Sequence, residues 1–181
     1  MKKKFIALFI VFSFLLINSP TNNSASANDY PVQSTKNTTE VSFNDTQKKA
    51  ELGDAKAQFD LGLMYAKGEG VAKDKQKAIE WCTRSAEQGN PEAQLNLGII
   101  YANGDSVTKD KRKAFLWYTK AAKQGFAEAQ LNLGLCYATG EGVAVNKMEA
   151  YKWWLKAASQ GNETAKQNLE FLCKQTPSVC R

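Results

Sequence analysis

The sequence predicts an all-α protein, a solenoid of stacked helical hairpins, and three observations carry that reading. Gly53, Gly89, Gly125 and Gly161 stand 36 residues apart. The units that begin at the first three of these glycines share the same residue in 14 of 36 columns. Within a unit, Ala57, Leu61 and Tyr65 recur every four residues, which is the period of a helix face and not of a strand. One hairpin cannot bury both of its apolar faces. About three stacked hairpins can.

The first half of each unit (53–88, 89–124, 125–160) reads as a helix A. Gly62 sits beside Leu61 in mid-helix and returns as Gly98 and Gly134. Glycine there costs about 1 kcal/mol relative to alanine. A cost repeated three times predicts a helix crossing too close for a Cβ. Gly68-Glu69-Gly70 then ends the helix with left-handed backbone, and Val71 folds back onto the core. In the second unit Ser106 replaces the second glycine, so a locally altered turn is expected.

Asp74, Asp110 and Asn146 are suited to cap a helix B. That helix carries Ala78, Trp81 and Ala86 on one face, repeated as Ala114, Trp117, Ala122 and Ala150, Trp153, Ala158. The alanines allow near approach, and the tryptophan is expected to fill the space between layers. Asn90 and Pro91 mark the restart of a helix A, as cap and first helical residue. Phe43 to Leu52 aligns with an extra helix B, and 161–174 forms a partial C-terminal cap that aligns with a helix A. Pro177 closes the last helix. The repeat domain is thus expected over 42–176, with a tail at 175–181.

The N-terminus reads as an address. Lys2-Lys3-Lys4 is followed by a 13-residue apolar run, Phe5 to Ile17, and then by Ala25-Ser26-Ala27. This order and these lengths predict a secretory signal peptide over 1–27. The apolar run is shorter than the roughly 20 residues a spanning helix needs, so no stable membrane insertion is expected after cleavage. Residues 28–41 are polar, without apolar period, and read as a disordered leader. The exported chain is expected in the periplasm or outside the cell, where disulfides persist.

Composition removes several chemistries. The chain has no histidine, which excludes Ser-His-Asp and Cys-His catalysis and histidine metal sites. Taking away Lys2, Lys3 and Lys4 leaves 21 basic residues against 18 acidic ones, a net charge of +3. They form no clustered basic face, so no nucleic-acid partner is expected. Cys173 and Cys180 are seven apart and predicted to pair. Cys82 and Cys136 lie a whole unit or more from each other and read as small buried apolar residues. No Cys-x-x-Cys spacing supports a metal, and no cofactor is expected. Trp154, beside Trp153, is either an exposed anchor for a partner or packing near the C-terminal cap.

The set Ala57, Leu61, Gly62, Tyr65, Gly68, Gly70, Val71, Asp74, Ala78, Trp81 and Ala86 resembles the Sel1-like repeat, a branch of the tetratricopeptide-like superfamily, over roughly residues 45–174. The resemblance implies a right-handed superhelix whose A helices line a concave face. It also implies an adaptor that holds a protein or peptide. If Leu61, Gly62 and Tyr65 occupy the core as in that superfamily, Phe59 and Leu63 turn toward the concave side. Leu95, Ile99, Leu131 and Leu135 follow, with Lys67 and Asn103 near the rim. Such a row suits an amphipathic helix or extended peptide; alternatively it packs on neighbouring helices.

A cysteine-rich branch of secreted relatives is described as penicillin-binding or β-lactamase-like, which is the alternative reading. In that branch a disulfide joins the end of one repeat to the start of the next. The matching positions here hold Glu51/Gln58, Glu87/Gln94 and Lys123/Gln130. Ser106 to Lys109 does match S-x-x-K, but the companion Ser-Asp-Asn and Lys-Thr-Gly elements are missing.

Overall fold

The structure is a computed structural model that describes residues 34–180, with side chains from residue 40 onward. The expected signal peptide (1–27) and the first part of the expected leader (28–33) lie outside these residues. Among the described residues eight α-helices follow one another: α1 (Ser34–Glu51), α2 (Ala55–Lys67), α3 (Lys75–Glu87), α4 (Pro91–Asn103), α5 (Lys111–Lys123), α6 (Ala127–Thr139), α7 (Lys147–Ser159) and α8 (Glu163–Gln175), then a 3-10 turn at Pro177–Val179. No strand occurs among the described residues. Each helix packs on the next, and the closest pairings are α2 with α3, α4 with α5 and α6 with α7. These are the three hairpins. The flanking α1 and α8 are the extra helix B and helix A.

One boundary departs from expectation. α1 starts at Ser34, so helix runs back through 34–41, where composition suggested a disordered leader. Phe43 and Ala50 are buried and anchor the far end of α1. Once that end is docked, each added residue gains one backbone bond without a new nucleation cost. Helix can therefore extend past its packed part, and Val41 at 59% exposure marks where packing has ceased.

Capping follows the residue types. Asp54, Asn90 and Asn162 accept the backbone N–H three residues on, at 2.7, 2.9 and 2.9 Å. Asp74, Asp110 and Asn146 cap the B helices in the same manner. Phe126 stands at the cap of α6 and accepts no such bond; its ring packs on the core beside it instead.

The turn between the helices of a hairpin is the same in all three units. The backbone N–H of Asp74, Asp110 and Asn146 donates to the carbonyl of Tyr65, Tyr101 and Tyr137 at 2.9, 2.9 and 2.8 Å. Ser106 does not alter this turn. It takes φ 61°, close to the 71° of Gly70 and 75° of Gly142. The turn geometry is imposed by the packed helices on either side, so serine adopts left-handed backbone at a cost of about 1 kcal/mol.

The repeated glycines of the A helices do mark close crossings. A Cβ on Gly62 would lie 3.0 Å from the Ala78 carbonyl oxygen. One on Gly98 would overlap the ring of Tyr118, and one on Gly134 the indole of Trp154. The side chain that fills the hairpin is therefore in the column Cys82/Tyr118/Trp154. The tryptophan column expected there, Trp81/Trp117/Trp153, lies one residue aside and stays half-exposed. Each of those rings carries a cation one turn on: Arg84 at 4.4 Å, Lys120 at 4.0 Å and Lys156 at 4.3 Å. A step of one residue turns a helix position by about 100°, which moves a ring from core to flank. Trp154, 1% exposed, is packing and not an exposed anchor.

Glutamines tie the repeats together. Gln58, Gln94 and Gln130 are buried. Their side-chain amides donate to the carbonyls of Ala50, Ala86 and Ala122 in the preceding helix at 3.1, 3.0 and 3.2 Å. Their carbonyl oxygens accept from Gln88, Gln124 and Gln160 at 2.7, 2.9 and 2.9 Å. Each amide thus uses both ends, which is what makes burying it tolerable. The bond to the preceding helix spans the junction that cysteine pairs bridge in the cysteine-rich branch.

Candidate functional site

The hairpins share one frame but do not fill it equally. Between the first and second repeats lies a cavity of about 370 Å³. Phe59, Gly62, Leu63 and Ala66 of α2 form one wall, and Asn96 and Ile100 of α4 another. Ala78, Ile79 and Cys82 of α3 form the floor. Lys73, Lys75, Asp105 and Ser106 come from the two adjoining loops. The lining is apolar within and charged toward the loops, the usual make-up of a recognition pocket.

The expected binding row is only partly presented. Phe59 and Leu63 line the cavity. Ile99 is 39% exposed, and Lys67 and Asn103 are exposed. Lys67 pairs with Glu69 at 3.5 Å, and Asn103 donates to Asp105 at 3.3 Å. Leu95, however, is buried against Ala114, Tyr118 and Ala121, so it does not line a surface. Leu131 and Leu135 are half-buried against the cluster around Trp154. The reason is the neighbour in each hairpin: Tyr118 and Trp154 draw the leucines of their repeats inward, whereas Cys82 leaves Phe59 and Leu63 beside empty volume.

The cysteines behave as their surroundings dictate. Cys173 and Cys180 are disulfide-bonded, with Cα atoms 5.7 Å apart, and tie α8 to the tail. Cys82 and Cys136 are free and buried. Burial pushes both thiols up to about 12 from the ordinary value of 9.0. For Cys136 the nearby Glu141 adds to the rise. Such thiols are protonated at neutral pH and poor nucleophiles. Tyr118 is likewise shifted upward, first by burial and then by Cys136 and Glu141.

Ser106 lines the cavity beside Lys73 and Lys75, but its place differs from that of an S-x-x-K nucleophile. It sits in the α4–α5 loop with φ 61°, and Lys109 precedes the cap of α5. Such a nucleophile needs serine at a helix start with lysine one turn on. Among the described residues no cluster of three or more metal-ligating side chains occurs, and no helix is long and apolar enough to cross a membrane.

The Sel1 repeat family model matches residues 55–90, 91–126 and 127–162. The chain belongs to the Sel1 repeat family. Its fold agrees with solved members. A Sel1 repeat protein from Oxalobacter formigenes is similar at TM-score 0.69 and 43% identity, covering 71% of this chain and 97% of that one. A protective antigen of uropathogenic Escherichia coli with an SLR fold is similar at TM-score 0.67 and 44% identity, over 70% of this chain and 27% of that one. Helicobacter pylori cysteine rich protein B is similar at TM-score 0.59 and 28% identity, over 76% and 98%. By sequence the secretory immunoglobulin A-binding protein EsiB of Escherichia coli is 37% identical over 85 residues. That match spans 47% of this Sel1 chain but 14% of EsiB.

The site signal that sequence reasoning passed over was in the comparison of repeats. Column 82/118/154 reads Cys, Tyr, Trp. A small residue where sister repeats hold rings is visible without a structure. Its consequence is not, because in the sequence Trp81 beside it suits the same space equally well.

Proposed function

We propose that this Sel1-repeat chain is an exported adaptor that holds a protein or peptide partner against its A helices, on the face that becomes concave in the superhelix. The observation that carries the reading is the cavity at the first junction. Phe59, Leu63 and Ala66 of α2 and Ile100 of α4 stand around it, and no side chain among the described residues fills it. Ile99, Lys67 and Asn103 continue the surface beyond it. Protein-partner binding is also what the name of the relative EsiB states for that protein. Export rests on the signal-like pattern at 1–27 and on the Cys173–Cys180 disulfide, a bond that persists in oxidising compartments. The periplasm and the cell exterior both fit.

Affinity capture from a bacterial envelope extract tests the reading. The charge reversal Lys67→Glu with Ile99→Glu changes the surface and leaves the core intact. The wild type should retain at least one saturable partner that this variant loses. Equal recovery of every partner by both forms would sink the proposal.

An enzymatic reading has one observation in its favour, the presence of Ser106 with two lysines at one cavity. The loop placement of Ser106 speaks against it. The purified protein is expected to leave a chromogenic β-lactam intact. Turnover that disappears in Ser106→Ala would reverse the preference.

A further inference from the structure

We propose that the cavity between the first and second repeats receives a single aromatic side chain, tryptophan or tyrosine, presented by the partner polypeptide. The inference deepens the adaptor reading and rests on it. The other two repeats define the occupant. In the second, the ring of Tyr118 lies over Gly98. In the third, the indole of Trp154 lies over Gly134, and its Nε1 donates to the Leu131 carbonyl at 3.0 Å. At the corresponding place over Gly62, α3 supplies Cys82, whose Sγ turns to the Ala93 carbonyl at 3.5 Å. The residue corresponding to Leu131 is Phe59, on the cavity wall. An incoming indole therefore meets an acceptor in the same register. Ile79 also stands where the other repeats have Phe115 and Tyr151, which widens the floor. Phe59 stands where they have leucine, which adds an aromatic wall for edge-to-face contact.

The loops explain why a ring can arrive from outside. At the second junction, Gly142 lies so close to the carbonyl of Lys111 that a Cβ has no room. Lys111 then pairs with Glu141 at 2.9 Å and joins the two loops. At the first junction the corresponding residues are Ser106, Lys75 and Asp105. Ser106 carries the Cβ that this close approach forbids, and Asp105 is one methylene shorter than Glu141. Among the described residues no ion pair joins Lys75 to Asp105; Asp105 accepts from Asn103 instead. The first junction thus lacks the ring that plugs and the ion pair that closes; one exposed bond, from the Gln76 side-chain amide to the Ser106 carbonyl at 3.2 Å, spans it instead. Lys73 and Lys75 outnumber Asp105 at the mouth, so the partner's ring is flanked by acidic residues.

The experiment uses the purified full protein, with methyl resonances of Leu63, Ile79 and Ile100 as reporters. The probes are acetyl-Glu-Trp-Glu-amide, the same peptide with alanine in place of tryptophan, and free indole. The tryptophan peptide should shift the reporters saturably, and the alanine peptide should not. Cys82→Trp plugs the cavity from within, as Trp154 does, and should weaken peptide binding at least tenfold. If that variant does not fold, Asp105→Glu with Ser106→Gly, which gives the mouth the loop residues of the third repeat, should weaken binding at least threefold. Indole binding as tightly as the tripeptide would assign the cavity to a free aromatic molecule. Shifts produced by raising protein concentration alone would assign it to a second copy. Either result overturns the proposal, as does unchanged peptide affinity in folded Cys82→Trp. If the envelope partner is lost by Lys67→Glu with Ile99→Glu but kept by Cys82→Trp, the adaptor reading stands and this inference falls. If the peptide binds the cavity and no partner is captured, the cavity assignment holds and the adaptor reading falls.

Discussion

The first repeat and the third are built on one frame, yet a ring lies over the helix A glycine of the third and a cavity lies beside that of the first. Both have the same turn bond, a side-chain cap on helix B and the same buried glutamine, although Asp54 caps helix A of the first and Phe126 makes no such bond in the third. They differ in core filling: Phe59, Ile79 and Cys82 of the first stand where the third has Leu131, Tyr151 and Trp154, and the last of these is the largest change. Trp154 fills the space over Gly134, and Cys82 leaves a cavity of about 370 Å³ near Gly62. The difference teaches that the frame of a repeat does not depend on its filling. Shared columns supply the turn bonds, the crossings and the inter-repeat amide bonds, and these are present whether or not a ring lies over the helix A glycine.

The largest test of that comparison is Trp154→Cys, which makes the third repeat resemble the first. It removes a fully buried indole and should cost about 3–5 kcal/mol, read as a lower urea midpoint with an unchanged slope. The reverse change, Cys82→Trp, should cost nothing or stabilise. A large loss there would show that the first hairpin has closed around its cysteine and that the repeats are not equivalent frames.

Next come the glutamines, the control for sameness. Gln58→Ala, Gln94→Ala and Gln130→Ala should each cost about 1–3 kcal/mol, because each leaves a buried carbonyl without its donor. Similar losses in thermal unfolding are expected in all three. A loss confined to one repeat would break the idea of a common frame. Reducing the Cys173–Cys180 disulfide should cost about 2 kcal/mol, as expected for a short loop. Hydrogen exchange should then rise first in α8, leaving the first repeat unchanged.

Ser106→Gly should stabilise by about 0.5–1 kcal/mol, since glycine takes φ 61° without steric cost. At neutral pH the smallest effect is none: Cys82 and Cys136 should resist thiol reagents in the native state. Both thiols titrate higher when folded than when unfolded. Their contribution is therefore complete below the ordinary thiol value of 9.0 and declines as pH rises toward about 12. Alkaline unfolding curves should show this loss, and Cys82→Ala should remove the share of the first repeat.

Much of this was legible in the residues themselves. The 36-residue period, the hairpin turns at Gly68 and Gly104, the caps at Asp74, Asn90 and Asp110, and the pairing of Cys173 with Cys180 all follow from local chemistry. The site was legible only in part. Phe59 and Leu63 line the cavity, whereas Leu95 lies in the core because Tyr118 packs against it. Ser106 was expected to disturb its turn and did not, since the flanking helices outweigh a cost of about 1 kcal/mol at one residue.

The sequence by itself determined where the helices of the hairpins start and stop and that they repeat, because capping, glycine turns and period act over four or five residues; the start of α1 at Ser34 did not follow from it. Which of two adjacent aromatic columns faces inward was decided by tertiary structure alone. A rotation of about 100° separates Trp153 from Trp154, and only the crossing at Gly134 says which of them meets the opposite helix. The same crossing, at Gly62, turns a cysteine in the first repeat into an open site.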